Sequence, residues 1–259
     1  MDHGKRREVT GYASYPSLRG KTVYLTGGAA GIGAETVRAF AEQGANVGFV
    51  DVDEVAGRAL IDEIGDAHAF EHCDLRDIAA LQSAFAALKS RIGAADILVN
   101  NAAVDDRHNW QDVTAEYWDD RMATNMWHMF FAIQSVAPAM IEAGRGSIIN
   151  IGSNSWWEAA GGFPAYATAK SAVHGLTRTM ARDLGAHRIR VNTVVPGWVM
   201  TERQKRLWVT PEALAKQLDR QCLPDLVDPV YVARMILFLA SDDAAMCTAN
   251  NYMVEAGSI

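Results

Sequence analysis

The sequence predicts a doubly wound α/β fold, in which a parallel sheet of about seven strands is covered by helices on both faces. Short β-rich runs alternate with helical patterns along the chain, which is the order that builds βαβ units. Residues 97–99 and 148–151 are almost entirely apolar, as expected of strands that are buried on both faces. The 259 residues, 49% of them hydrophobic and 21% charged, suit one globular domain of this class.

Seven strands are predicted, at residues 22–25, 47–50, 67–70, 97–99, 148–151, 191–195 and 251–254. The clearest helix lies between the third and fourth of these runs. Its apolar residues are spaced three and four apart and therefore share one face: Ile78, Leu81, Phe85, Leu88 and Ile92. Further helices are predicted from about residue 34, over 114–143 with Asp112 or Thr114 as the N-cap, and over 168–184.

One domain is predicted over residues 20–259, because no linker or repeat interrupts the alternation of elements. Residues 1–19 lack a periodic apolar face and are expected to form a flexible extension. Between residues 198 and 227 the apolar period weakens, and Pro211 and Pro224 interrupt it. We interpret this segment as a short helical lid over the substrate.

Composition argues against several classes of function. The formal net charge is −7 and Lys and Arg form no block, which disfavours binding to nucleic acid or to an anionic membrane. The apolar stretch at 235–240 is far shorter than the roughly 20 residues of a membrane span. Residues 1–11 are polar and lack the apolar core of a secretory signal. Three cysteines without metal-ligand spacing predict no metal site and a cytoplasmic location.

A glycine-rich turn follows the first predicted strand, with the sequence Thr-Gly-Gly-Ala-Ala-Gly-Ile-Gly at residues 26–33. Glycines in such a turn let the backbone approach a pyrophosphate, and the N-terminus of the next helix offers N–H groups to the same anion. The turn therefore predicts a dinucleotide site that includes Gly27, Ala30, Gly31, Ile32 and Gly33.

The second predicted strand ends in Asp51, at about the distance from the glycines that a ribose-binding carboxylate has. A carboxylate accepts hydrogen bonds from the ribose hydroxyls of NAD but repels the 2′-phosphate of NADP. Val52 and Asp53 supply no compensating positive charge. We therefore expect NAD as the cofactor. The alternative is a solvated aspartate at a strand end.

Tyr166 and Lys170 are four residues apart, so that on a helix they share a face. The Lys170 ammonium is then expected to lie near the Tyr166 phenol and to lower its pKa by favouring the ionised form. Tyr166 thus becomes a candidate general acid/base near neutral pH. Taken alone, such a pair also fits a packed tyrosine and a solvated lysine.

These motifs, in this order, resemble the short-chain dehydrogenase/reductase family from about residue 18 to residue 257. The resemblance implies a Rossmann-like sheet with NAD across its C-terminal edge, and commonly a homotetramer. It also rests on Cys73-Asp74-Leu75, Asn100-Asn101-Ala102-Ala103, Asn125, Ser153, Pro196-Gly197 and Thr201.

The resemblance implies a role for each catalytic candidate. Tyr166 is the general acid/base, and Lys170 supports it electrostatically and binds the nicotinamide ribose. Ser153 donates a hydrogen bond to the substrate oxygen, and Asn125 holds a proton-relay water.

For the cofactor, the resemblance places Asp74 near the adenine and Thr201 at the nicotinamide carboxamide. Other implied cofactor contacts are Leu75, Asn101, Ala102, Ala103, Pro196, Gly197 and Val199, besides Tyr166 and Lys170.

The sequence departs from the family pattern at three places. Ala103 stands where glycine is usual, and this is expected to change the stiffness of the loop beside the cofactor. Ala249 also stands where glycine is common, and Glu255-Ala256 replaces Asp-Gly near the end. These last two changes put the subunit packing in question, but none of the three removes a catalytic group.

Substrate specificity is expected to come from loops that follow the strands and cover the nicotinamide. These loops are rich in hydrogen-bonding side chains and tryptophan, which suits a polyhydroxylated substrate better than a steroid or an acyl chain. Each loop residue also has a structural alternative, such as His108 capping the next helix. The predicted substrate-binding residues are Asp105, His108, Ser153, Asn154, Ser155, Trp156, Tyr166, Trp198, Arg203 and Gln204.

Several runs in the chain, among them residues 105–108 and 237–243, are similar to bacterial sugar 1-dehydrogenases of this family, which act on D-xylose, L-arabinose or D-galactose. This similarity implies oxidation of the C1 hydroxyl of an aldopyranose to an aldonolactone. Two alternatives stay open. Arg107 and Arg203 are able to bind a carboxylate, which suits a 3-hydroxy or 3-oxo acid substrate. The second alternative is a protein that binds NAD as a sensor and catalyses no reaction.

Overall fold

The computed structural model of the protein describes residues 11–258. It contains a sheet of seven parallel strands in the order β3-β2-β1-β4-β5-β6-β7. Because this order runs outward in both directions from β1 and β4, the predicted doubly wound sheet is confirmed. The strands are β1 (Thr22–Thr26), β2 (Asn46–Asp51), β3 (Ala69–His72), β4 (Ile97–Asn100), β5 (Gly146–Ile151), β6 (Ile189–Pro196) and β7 (Asn251–Val254).

Helices cover both faces of the sheet. Within the described residues they are α1 (Gly31–Glu42), α2 (Glu54–Ile64), α3 (Ile78–Ile92), α4 (Ala115–Met122), α5 (His128–Ala143), α6 (Pro164–Leu184), α7 (Glu202–Leu207), α8 (Pro211–Arg220) and α9 (Pro229–Ala240). The apolar stripe predicted over 78–92 is α3, with the predicted bounds.

Side chains of each strand alternate between two buried layers, as the geometry of a strand requires. On β1, Val23 and Leu25 enter the layer that contains Phe40 of α1 and Ile236 of α9. Tyr24 enters the opposite layer, which is built with α3, α5 and α6. The sheet is thus covered on both sides, which explains why its central strands are apolar along their whole length.

One strand lies two residues later than predicted: β3 covers Ala69–His72 rather than residues 67–70. The reason is His68, which is buried and accepts a hydrogen bond at Nδ1 from the Val47 N–H (3.1 Å). Its own N–H donates to the Gly65 carbonyl, so the chain still turns at this point.

The helix predicted over 114–143 exists but is interrupted. Thr114 is the N-cap, as one of the two predicted alternatives, and its hydroxyl accepts from the Tyr117 N–H. A π-helical turn at Ala123–Trp127 separates α4 from α5 and contains the buried Asn125. Such turns occur frequently at functional sites, and the apolar period does not reveal them.

Helix α6 begins at Pro164, four residues before the predicted start, because a proline is well suited to the first turn of a helix. Helix α1 likewise begins at Gly31 rather than near residue 34. Both shifts move functional candidates from loops into first helical turns. Tyr166 therefore lies in the first turn of α6.

The segment 198–227 contains the predicted helices, α7 and α8. Each begins at a threonine N-cap, with the Thr201 hydroxyl accepting from the Gln204 N–H and the Thr210 hydroxyl from the Ala213 N–H. A bridge between Val199 and Val227 joins the two ends of the segment. A second bridge, between Gln221 and Ser258, joins the segment to the C-terminal end of the described chain.

The packed chain begins before residue 20, the predicted start of the domain. Pro16–Leu18 form a 3₁₀ turn, and the Leu18 side chain is fully buried. The Tyr15 N–H donates to the Gln43 side chain (2.7 Å). A three-residue turn has no apolar period, so local patterns do not predict it. Residues 1–10 of the predicted extension lie outside the described residues.

Between residues 11 and 258, no helix combines the length and hydropathy needed to cross a membrane. The same part of the chain contains no group of three or more His, Cys, Asp or Glu placed to hold a metal ion. Cys73, Cys222 and Cys247 are free thiols. The fold is therefore stabilised by packing and hydrogen bonds rather than by disulfide bonds.

Replacing Leu18 by alanine tests whether the N-terminal turn belongs to the core. Because the side chain is fully buried, we expect the free energy of unfolding to fall by about 2–5 kcal/mol. Urea unfolding followed by circular dichroism measures it. Leu223→Ala is the matched control, since Leu223 is 54% exposed and its loss should change stability by less than about 0.5 kcal/mol. Equal effects of the two substitutions would contradict this boundary.

Candidate active site

A cleft of about 1020 Å³ lies at the carboxyl ends of the strands. Its position follows from the strand order. Successive strands are added toward one edge of the sheet from β1 to β3 and toward the other edge from β4 onward, and this change leaves a crevice between β1 and β4. Most of the predicted site residues line it. They are Gly27, Ala30, Gly31, Ile32, Asp51, Asp74, Leu75, Asn101, Ala102, Ala103, Asp105, Ser153, Asn154, Ser155, Tyr166, Lys170, Pro196, Gly197, Trp198, Val199, Thr201, Arg203 and Gln204.

The glycine-rich turn passes from β1 into α1 and leaves no room for side chains. A Cβ on Gly33 would lie 1.9 Å from the Gly27 carbonyl oxygen, and a Cβ on Gly27 would lie 2.7 Å from the Ala102 Cα. Gly27 and Gly31 also have positive φ angles of 69° and 56°, which favour glycine. This bare turn at a helix N-terminus fits the pyrophosphate of a dinucleotide.

The turn is held against the end of β4 by Thr26 and Asn101. The Thr26 hydroxyl accepts from the backbone N–H groups of Asn101 (3.0 Å) and Ala102 (3.2 Å). In return, the Asn101 side-chain amide donates to the carbonyls of Thr26 (3.1 Å) and Gly27 (2.8 Å). Asn101 is therefore a structural residue of the cofactor floor as well as part of its surface.

Two carboxylates mark the end of the cleft formed by β2 and β3. Asp51 accepts from the Ala29 N–H (2.9 Å) and the Asp53 N–H (3.0 Å), which fixes it at the glycine-rich turn. Asp74 is held by Arg76 (2.6 Å), whose guanidinium lowers the pKa of that carboxyl. Both carboxylates are thus oriented before a ligand binds.

Ser153, Tyr166 and Lys170 meet at the other end of the cleft, where β5 and α6 place them. Ser153 follows β5, and its Oγ lies 3.0 Å from the Ser155 hydroxyl. Lys170 is fully buried, and its Nζ donates to the Ile151 carbonyl (2.7 Å). The same Nζ lies 5.9 Å from the centre of the Tyr166 ring. The predicted triad is thus assembled in one place.

The electrostatics of this triad differ from the prediction. Burial, with a contribution from Asp105, raises the pKa of Tyr166 to about 12 rather than lowering it. Burial also lowers the pKa of Lys170 to about 7, so this side chain is only partly charged at neutral pH. A hydrogen bond from Ser153 and the charges of Arg107 and Arg203 lower the pKa of Tyr166. The spacing of Tyr166 and Lys170 on one helix face did not predict these two pKa shifts, because both shifts depend mainly on how deeply the side chains are buried.

Asn125 does not line the cleft. Its side chain is buried, accepting from the Val104 N–H (2.8 Å) and donating to the Arg121 carbonyl (2.9 Å). The side chain therefore ties the π-helical turn to the loop after β4. Each end of its amide has one backbone partner and keeps capacity for another, so the implied relay water at Asn125 stays a prediction.

Several of the predicted substrate-binding side chains bind one another. Arg203 of α7 pairs with Asp105 and with Asp106 (2.7 Å) on the loop after β4. Gln204 donates to Asp105 (2.7 Å) and accepts from the Trp198 indole N–H (2.8 Å). We call these residues the lid latch: Asp105, Asp106, Trp198, Arg203 and Gln204. The latch joins α7 to the loop after β4 at the edge of the cleft.

Two predicted substrate residues, His108 and Trp156, are not among the residues that line the cleft, and His108 contacts the start of α6 rather than capping the next helix. Nε2 of His108 accepts from the Ala165 N–H at the start of α6 (3.4 Å), and Nδ1 lies 2.9 Å from the Tyr117 hydroxyl. Trp156 donates its indole N–H to His174 (3.1 Å) and stacks on Trp157. Their polar atoms are occupied by partners that are distant in sequence.

The cleft includes residues that the sequence did not assign. Glu158 binds the Asn154 amide and pairs with Arg220 of α8 (3.1 Å), so Asn154 is also engaged within the protein. Arg107 belongs to the predicted substrate loop at residues 105–108, but it was given a specific role only toward a carboxylate. It lies over the Phe163 ring (4.1 Å). Phe163 and Trp208 have no local signal, because an isolated aromatic residue most often packs in the core. The unassigned lining residues with large side chains are Arg76, Arg107, Arg121, Glu158, Phe163, Trp208, Lys216, Gln217 and Arg220.

The departures from the family pattern have different structural consequences. Ala249 and Ala256 have φ angles of 61° and 60°, in the left-handed region that favours glycine. An L-residue in that region is disfavoured by about 1–2 kcal/mol. Ala103 is not among the residues with positive φ, so its methyl group costs no such strain.

Comparison with known proteins supports this geometry. Residues 27–258 match the family model described as Enoyl-(Acyl carrier protein) reductase. The chain is 46% identical to D-xylose 1-dehydrogenase of Caulobacter vibrioides, covering 95% of this chain and 98% of that protein. It is 42% identical to a probable galactose dehydrogenase of Rhizobium meliloti, covering 95% and 97% respectively.

A solved structure shares the whole fold. The crystal structure of a 3-oxoacyl acyl-carrier-protein reductase from Brucella melitensis superimposes with a TM-score of 0.91 at 30% sequence identity. The match covers 100% of this chain and 99% of that one. The sheet and its helical layers are therefore common to proteins whose names give different substrates.

Replacing Gly33 by alanine tests the glycine-rich turn. The added Cβ would collide with the Gly27 carbonyl, and relieving such overpacking costs about 1–3 kcal/mol. We expect dinucleotide affinity to fall about 10- to 100-fold, measured as the dissociation constant of the reduced cofactor by fluorescence. Gly175→Ala in α6 is the control, because its Cβ would meet nothing within 4 Å. Undiminished affinity in Gly33→Ala would contradict the assignment.

Proposed function

Because the chain belongs to the short-chain dehydrogenase/reductase family, we propose that it is an NAD-dependent sugar 1-dehydrogenase. In this reaction the C1 hydroxyl of an aldopyranose is oxidised to an aldonolactone. The observation that carries the proposal is one cleft in which Ser153, Tyr166 and Lys170 adjoin carboxylate, amide and guanidinium side chains. The relatives named D-xylose 1-dehydrogenase and probable galactose dehydrogenase support the same substrate class.

Members of this family use nicotinamide cofactors, and Asp51 favours NAD among them. Its carboxylate is fixed at the glycine-rich turn, where the ribose of the adenosine half is expected. A 2′-phosphate there would meet the negative charge of Asp51. Arg76, the nearby cation that lines the cleft, is already paired with Asp74 and Asp120.

In the proposed mechanism, Tyr166 as the phenolate removes the proton of the C1 hydroxyl, and Ser153 donates a hydrogen bond to the same substrate oxygen. Bound NAD supplies the hydride acceptor. Lys170 holds the nicotinamide ribose from its fixed position at the Ile151 carbonyl. Because burial raises the pKa of Tyr166, the phenolate depends on the positive charges around it.

An acid substrate was the main enzymatic alternative, through a clamp of Arg107 and Arg203 on a carboxylate. Arg203 already binds Asp105 and Asp106, so one guanidinium rather than two remains for a ligand. One charged donor among amides and carboxylates suits hydroxyl groups better than a carboxylate. We therefore favour the sugar over a 3-hydroxy acid, and an enzyme over a sensor without turnover.

We also propose a substrate lid, a homotetrameric assembly and a cytoplasmic location for the protein. Residues 198–227 act as a substrate lid, which is held by the lid latch. A homotetramer is expected from the family resemblance, and Phe130 and Ile141 of α5 present exposed apolar side chains that association would cover. Free thiols at all three cysteines suit the reducing cytoplasm.

A screen of aldopentoses and aldohexoses, followed by NADH absorbance, tests the substrate class. We expect one preferred sugar, a lactone product, and a higher kcat/KM with NAD than with NADP. Activity on 3-hydroxy acids but on no aldose would reject the proposal. Asp51→Asn removes the charge that disfavours the 2′-phosphate, so the preference for NAD should narrow by about 10-fold or more. A wild-type enzyme that prefers NADP would contradict the role of Asp51.

Replacing Tyr166 by phenylalanine tests the mechanism. Loss of the proton acceptor should reduce kcat about 10²- to 10⁴-fold, because the aromatic ring remains but the phenol oxygen does not. Steady-state kinetics with the preferred sugar measure this loss. Binding of NADH, measured in parallel, should change little and serves as the control for folding. Full turnover by Tyr166→Phe would exclude Tyr166 as the base.

A further inference from the structure

Arg107 occupies an unusual place beside the catalytic tyrosine. Its guanidinium carbon lies 4.1 Å from the centre of the Phe163 ring and 5.5 Å from that of Trp208. Phe163 is buried, and its ring packs edge to face against Tyr166 at 5.6 Å between centroids. The guanidinium is therefore positioned by aromatic stacking, and it faces the cleft that contains Tyr166.

The hydrogen-bond donors of Arg107 are free, in contrast to those of its neighbours. Arg121 binds Asp106 and Asp120, and Arg203 binds Asp105 and Asp106. Within residues 11–258, no hydrogen bond or ion pair is made by the Arg107 guanidinium. An arginine carries five N–H donors and stays charged even when burial lowers its pKa, as it does here. The Arg107 side chain lines the cleft and is exposed, so these donors are available to a ligand bound there.

We propose that Arg107 is a specificity-determining residue whose stacked guanidinium donates hydrogen bonds to hydroxyl oxygens of the bound sugar and so places its C1 hydroxyl at Tyr166. This inference rests on the proposed function and adds the group that orients the substrate. The planar stack on Phe163 fixes the direction of the donors, and a rigid donor discriminates strongly against a substrate that lacks its acceptor.

Arg107 also acts on the ionisation of Tyr166. The groups facing that phenol are Asp105 and Arg107 from the loop after β4, Ser153 from the loop after β5, Lys170 from α6 itself and Arg203 from α7. Asp105 opposes ionisation, but its charge is paired with Arg203 in the lid latch. Of the two arginines in this set, Arg107 is therefore the one whose charge is not paired with a carboxylate, and it favours the phenolate.

The test compares Arg107→Met and Arg107→Lys with wild type, using the preferred aldose and its monodeoxy analogues. For Arg107→Met, kcat/KM for the parent sugar should fall about 10- to 100-fold, the range expected for loss of a charged hydrogen bond. At a pH on the plateau of both kcat profiles, where Tyr166 is ionised in both enzymes, the analogue that lacks the partner hydroxyl should be oxidised equally well by wild type and Arg107→Met. Arg206→Met, on the exposed side of α7, is the matched control and should retain wild-type kinetics.

Two further measurements separate orientation from charge. The acidic limb of the kcat pH profile should move to higher pH in Arg107→Met, because loss of a cation raises the pKa of Tyr166. It should stay in place in Arg107→Lys, which keeps the charge but not the planar donors. Calorimetry of sugar binding to the enzyme–NADH complex gives an independent measure, and unchanged NADH affinity shows that the variants are folded.

The outcomes distinguish the two proposals. If wild type oxidises no aldose, the proposed function is wrong and this inference falls with it. If wild type oxidises an aldose but Arg107→Met matches it, only the inference is overturned. The same holds if Arg107→Met loses equal activity on the parent sugar and on every deoxy analogue, since that pattern shows no contact with a hydroxyl.

Discussion

The hydrogen bonds between the ends of β1 and β4 are the constraint on which the cofactor half of the cleft depends. Two of them join Thr26 and Asn101 directly, and two more link Thr26 to Ala102 and Asn101 to Gly27. Together they hold two strands at the point where the sheet reverses its order. The glycine-rich turn then passes so close to Ala102 and Asn101 that no Cβ fits at Gly27 or Gly33. A conserved spacing is not needed to explain these glycines, because the contacts themselves exclude larger residues.

The catalytic half is governed by the cost of burying ionisable groups. Burial opposes charge on both Tyr166 and Lys170, so neither residue is set up for catalysis by the other alone. The surrounding loops supply the compensation, with Ser153 as a hydrogen-bond donor and Arg107 and Arg203 as cations. Residues from three separate parts of the chain therefore share in tuning one phenol. Such perturbed groups in a cleft are typical of functional sites.

The lid connects these two halves. Thr201 caps α7 and lies against Gly31 of the glycine-rich turn, where an added Cβ would be 3.2 Å from its methyl group. Two residues later, Arg203 binds the loop after β4 through Asp105 and Asp106. The lid latch thus joins the segment beside the cofactor turn to the loop after β4. Its ion pair also places Arg203 against Asp105, the carboxylate that raises the pKa of Tyr166.

The sequence by itself determined the features that depend on neighbours along the chain: the doubly wound class of the sheet, the bounds of α3 and the glycine-rich turn. It narrowed the N-cap of α4 to Asp112 or Thr114, and the structure shows Thr114. Tertiary structure decided which polar side chains are available to a ligand. His108 accepts a hydrogen bond from the Ala165 N–H, whereas the Arg107 guanidinium stacks on the ring of Phe163, which lies 56 residues later in the chain, and its N–H donors have no partner in the described residues. Arg107 and His108 are neighbouring polar residues in one short loop, yet one is available to a ligand and the other is bound within the protein. The difference arises because contacts between distant segments set the hydrogen-bond partners and the burial of each side chain. For the same reason the pKa of Tyr166 follows from the fold and not from its spacing to Lys170.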